Sequence, residues 1–63
     1  MFYLFTVESF LDEDESFEVF VKAYDEYEAE ARFNELFPFR LYCGYLEDEY
    51  TEEEAKILGF DVY

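Results

Sequence analysis

At 63 residues the chain is long enough for one small domain, 1–63, and too short to bury a large core. Eighteen Asp and Glu against four Lys and Arg leave a net charge of −14, with no His and a single Cys, Cys43. These numbers exclude an intrachain disulfide and any histidine-based metal or catalytic site, and they oppose binding to a nucleic-acid backbone or an anionic membrane surface. Nine Phe and seven Tyr supply the bulk for a small core. A hydrophobic content of 52% separates the chain from disordered polyanions, which lack apolar residues.

The apolar start "MFYLFTVES" has no basic segment and is too short to span a bilayer or serve as a secretory signal. Residues 2–9 alternate as a strand with aromatics on both faces, which predicts a central strand or one covered on both sides. "LDEDES", 11–16, is a polar connection. Residues 17–24 form a second strand, with Phe17, Val19, Val21 and Ala23 on one face, and the short loop before it favours an antiparallel hairpin. Asp25 with Glu28 has the spacing of a helix N-cap pair. Ala29, Phe33, Leu36 and Phe37 then share one face of a helix over 25–37, which Pro38 ends.

Residues 39–46 read as a third strand, with Phe39, Leu41, Cys43 and Tyr45 on one side. "EDEY", 47–50, reads as a loop. Thr51 with Glu54 forms a second capping pair, opening a short helix with Glu52 and Glu53 in its first turn and Gly59 as its terminator. "FDVY" closes the chain as a short strand or docked tail. The expected fold is α+β: a ββαβ order, a three-stranded, mainly antiparallel sheet, the main helix on one face and a short second helix near the C-terminus.

Catalytic apparatus is absent from the pattern. Without His no Ser/His or Cys/His pair forms, and the two glycines stand apart, so there is no phosphate loop. Paired carboxylates need an apolar pocket to raise one pKa, and a domain this small has little room for one. The segment "DEDESFEVFVKA" begins like a calcium loop, with Asp12, Asp14 and Ser16 at its first, third and fifth positions. Phe17 stands where the loop needs Gly, and Ala23 where it needs Glu. The expectation is a non-enzymatic protein with no cofactor and no metal. Cys43 reads as a small hydrophobe on a strand face.

The charge exceeds what solubility needs, since a net charge of magnitude about 2–8 suffices for a small domain. A compact chain of this length has a diameter of roughly 27 Å, a length over which duplex DNA carries about 16 charges. The excess is clustered in "LDEDES", on the outer side of the main helix and in "LEDEYTEEE". Glu26 and Glu30 repel one another at i,i+4 with no cation between them. The arrangement points to a basic protein partner. Phe20, Tyr24 and Tyr42, read as lying on the sheet face away from the main helix, suggest an alternative: a structural or adaptor module that homodimerises, or binds a partner, through an aromatic sheet face.

In size, charge and architecture the chain resembles the DNA-mimic inhibitors that bacteriophages and mobile elements direct against host defences, anti-CRISPR proteins above all. That resemblance implies an acidic inhibitor acting in the cytoplasm of a host bacterial cell. Its partner would be a basic nucleic-acid-binding protein such as a CRISPR effector or another nuclease. It further implies that the carboxylates of Asp12, Glu13, Asp14, Glu15, Glu47, Asp48, Glu49, Glu52, Glu53 and Glu54 stand in for phosphates, with Tyr50 as an anchor beside them.

Overall fold

A computed structural model describes residues 1–11 and 15–63. Its elements in order are β1 (Phe2–Ser9), β2 (Ser16–Lys22), α1 (Glu26–Leu36), β3 (Tyr42–Tyr50), α2 (Glu52–Leu58) and β4 (Asp61–Val62). The sheet is mixed and four-stranded, ordered β3-β1-β2-β4. β1 is antiparallel to β2 and to β3, and β4 runs parallel to β2. β1 is thus a central strand, as its two apolar faces require.

The expected three-stranded sheet is corrected at three points. First, the chain's end is a fourth strand: the Lys22 N–H donates to the Tyr63 carbonyl, and the Tyr63 N–H donates to that of Phe20. Second, β2 ends at Lys22: Met1 and Ala23 still exchange N–H···O bonds, and Asp25 then caps α1. Third, β3 spans 42–50 in place of 39–46. The Leu41 and Tyr42 N–H groups both turn back onto the Pro38 carbonyl, so 39–41 belong to a turn. The strand then continues through "EDEY", because β1 offers paired residues as far as Phe2. An edge strand tolerates such acidity because its charged side chains reach water.

Both helices start as their capping residues dictate. The Asp25 carboxylate accepts from Glu28 N at 2.8 Å, and Glu28 Oε1 accepts from Tyr24 N at 3.3 Å. At α2, Thr51 Oγ1 accepts from Glu54 N while Glu54 Oε1 accepts from Thr51 N. Gly59, at φ 74°, ends α2 by returning its N–H to Ala55 O.

The strand alternation sorts the core into two layers. Tyr3, Phe5, Val7, Val19, Val21 and Ala23 face α1, where they meet Ala29, Phe33 and Phe37. Phe33 stacks on Phe5 with ring centroids 4.4 Å apart. Leu4 and Phe20 face the other way and are covered by Ala55 of α2, with Phe2, Tyr50 and Phe60 around them. The aromatic sheet face expected to be open is therefore largely filled. Phe20 is fully buried, and Tyr42 lies on the α1 side, edge-on to Phe37. Phe20→Ala is expected to lower unfolding stability by about 3–5 kcal/mol in urea titrations, as for other large aromatic-to-alanine changes in a core.

Candidate acidic interface between α1 and β3

β3 pairs regularly with β1 from Ser9↔Tyr42 to Phe5↔Leu46, then resumes at Leu4↔Asp48. Glu47 is the extra residue of a β-bulge. The bulge reverses the facing of everything beyond it. Glu49 comes to share the α1 side with Tyr3, while Asp48 and Tyr50 share the α2 side with Leu4 and Phe2.

Two open concavities result, meeting at Leu46. One, of about 340 Å³, is lined by Tyr3, Glu26, Leu46, Glu47, Asp48 and Glu49. The other, of about 190 Å³, is lined by Phe5, Glu30, Phe33, Asn34, Gly44 and Leu46. Together they form a groove. Glu26, Glu30 and Asn34, at helical spacing, make its α1 wall, and β3 makes the other. Five carboxylates line it and no cation does. Lys22 and Arg32 lie with Glu28 in a separate concavity. The ion pair formed among the described residues is Lys56–Glu52 at 3.7 Å, exposed on α2.

The anticipated site residues divide. Glu47, Asp48 and Glu49 all line the concavity beside Tyr3, on a strand where a loop was expected, and of the three Asp48 shares the α2 side of β3. Asp12, Glu13 and Asp14 lie outside the described residues. Glu15, exposed just before β2, sits at the far end of the sheet, since Glu8↔Ser16 and Tyr3↔Glu49 mark opposite ends of β1. Tyr50 turns inward and meets Phe20 edge-on at 5.7 Å, so it holds the α2 layer. Glu52, Glu53 and Glu54 occupy the first turn of α2, on the other side of the sheet, and Glu54 is committed to the capping box. Glu26, Glu30 and Tyr3 were not anticipated as site residues. The i,i+4 repulsion of the two glutamates was their only trace in the sequence.

Electrostatics follow the geometry. Burial first, then the negative charges of Glu49 and Asp25, holds the Tyr3 phenol above its ordinary pKa of 10.0. On the α2-side face of β3, hydrogen bonding with Cys43 and then the nearby charges raise that of Tyr45. Cys43 there is half-buried, not part of a core. The protonated phenols belong to the folded state. Their contribution is complete below about pH 10, the unfolded phenol value, and is lost as pH rises through the higher folded values. Ultraviolet titration is expected to show Tyr3 and Tyr45 ionising above about pH 10, with stability falling in that alkaline range. Tyr3→Phe should remove one of the two late steps.

Among the described residues no three carboxylates or thiols converge in a way that would hold a metal ion, and no helix is long and apolar enough to cross a membrane. No protein-family model matches the chain, and no curated protein or solved structure matches it.

Proposed function

We propose that the protein is a non-enzymatic acidic inhibitor that occupies the basic nucleic-acid-binding surface of a host defence nuclease, as an anti-CRISPR protein does. The observation that carries this reading is the groove: Glu26, Glu30, Glu47 and Glu49 line one concave surface whose lining contains no cation. Such a cluster opposes the compact state unless a basic partner relieves it. The long axis of 33 Å supports a weaker form of mimicry than the sequence suggested. Duplex DNA of that length carries about 19 phosphates, against the 14 net charges of this chain. The match is to the sign of a polyanion, with five of the eighteen acidic residues lining the groove. Proposed partners are CRISPR effectors that read DNA with Arg and Lys.

The alternative, an adaptor dimerising through an aromatic sheet face, keeps one of its three anchor residues: Phe20 is buried beneath α2 and Tyr42 packs on Phe37, while Tyr24, just beyond β2, is 90% exposed. Salt decides the leading reading. Affinity for a nuclease of this class should fall at least about tenfold between roughly 50 and 200 mM salt, as it does when cations on a protein replace counterions on a polyanion. Binding that is unchanged over that range, measured by calorimetry, rejects nucleic-acid mimicry.

A further inference from the structure

The backbone of β3 carries information that its side chains do not. The Phe10 N–H donates to Leu41 O at 2.8 Å, continuing the β1–β3 ladder by one residue. In an antiparallel ladder, directly bonded and non-bonded pairs alternate. Glu8/Cys43 and Thr6/Tyr45 are therefore bonded pairs. Tyr42, Gly44 and Leu46 direct their N–H and C=O groups away from β1, toward the open edge of the sheet.

That edge is closed at both ends but not in the middle. The Tyr42 N–H is consumed by Pro38 O. Beyond Leu46 the bulge at Glu47 breaks the ladder, and the Asp48 carboxylate accepts the Glu49 N–H at 2.8 Å. Bulges and charges of this kind are how proteins blunt an exposed edge. Gly44 and Leu46 have no such cover, and both line the groove. The short window they define opens directly beside Glu26, Glu30 and Glu49.

We infer that the open edge of β3 at Gly44–Leu46 is a docking site for an extended basic segment of the partner protein, which adds to the sheet as a fifth strand. The proposal rests on the reading above, that the partner is basic, and adds the manner in which it is held. Main-chain hydrogen bonds at Gly44 and Leu46 would supply the pairing, and alternate side chains the selectivity. On the α1 side, every second residue of the added strand meets the carboxylates of the groove, which calls for Lys or Arg. On the other side the intervening residues meet Tyr45, 55% exposed, and half-buried Cys43, which calls for apolar groups. A second copy of this chain fits less well, because it would bring together two molecules of charge −14 each, and like charges across an interface oppose association.

The test uses a short peptide alternating lysine and valine, and a control peptide of the same charge with prolines in place of the valines. The chain is small enough for chemical synthesis, so the Leu46 nitrogen can be N-methylated with every side chain intact. At roughly 50 mM salt the lysine–valine peptide should bind the unmodified chain at least about tenfold more tightly than it binds the N-methylated chain, and than the proline peptide binds either; tenfold corresponds to losing one or two main-chain hydrogen bonds and their geometry. Circular dichroism confirms that the N-methylated chain folds. Equal binding of both peptides to both chains overturns the edge docking while leaving a basic partner in place. Binding by neither peptide overturns the basic-partner reading as well. Self-association of the unmodified chain in sedimentation, lost on N-methylation, replaces the basic segment with a second copy and overturns the proposal.

Discussion

Gly44→Val is expected to lower the stability of the domain by about 3 kcal/mol, at the upper end of what overpacking costs. A domain of this size has roughly 3–9 kcal/mol in total, so the variant should be largely unfolded well below the melting temperature of the parent. The cause is a close approach between helix and strand. A Cβ at Gly44 would overlap the Phe33 ring. That ring cannot swing aside, because it is buried, stacked on Phe5 at 4.4 Å and packed on Phe37 at 5.0 Å. Gly44 is thus the residue that lets α1 lie close to the edge strand and form the groove. Thermal melts followed by circular dichroism measure the loss. Coupling provides the sharper check: with Phe33→Leu already present, Gly44→Val should cost at least about 1 kcal/mol less than in the parent, as for residues in direct contact. Additive effects would mean that Phe33 is not the obstacle.

The second large effect concerns binding. Reversing Glu47, Asp48 and Glu49 to Lys should weaken the complex with a basic nuclease by about a hundredfold at roughly 50 mM salt. Exposed ion pairs contribute about 0.2–1 kcal/mol each. Reversal removes three attractions and adds three repulsions of similar size, which sums to about 3 kcal/mol. The difference should shrink at roughly 200 mM, where the screening length falls below about 8 Å. Reversing Glu35 and Glu53 is the control for location. Glu35 faces Arg32 and Tyr63 on the opposite flank of α1, and Glu53 lies on α2 beyond the sheet. Those changes should cost less than about fivefold. Glu28 is unsuited as a control, because its carboxylate accepts the Tyr24 N–H at the start of α1. A similar loss from both sets would move the interface away from the groove.

What was legible in the sequence was local. The strand over 2–9, the helix between Asp25 and Pro38, and the Thr51–Glu54 box with Gly59 after it depend on neighbours within a few residues, and they are found at those places. The acidity and its clustering were equally plain. Three features were not legible. The chain's last residues join β2 in parallel, which needs partners some forty positions away. α2 folds onto the second face of the sheet, turning Phe20 and Tyr50 from candidate contact residues into core. The groove joins Glu26 and Glu30 to Glu47, Asp48 and Glu49, and the bulge at Glu47 decides which of these face α1.

The stretch "LEDEYTEEE" shows the division most clearly. Its composition alone marked it as acidic and marked Thr51 as a helix start. Its division into an edge strand and a helix on opposite sides of the sheet depends on β1, which pairs with residues as far as Tyr50 and so carries the strand through four residues that look like a loop. Capping and periodicity are short-range effects that each segment expresses for itself. Register, bulge position and the facing of a helix are set by the burial of distant side chains against one another, and no single segment holds that information.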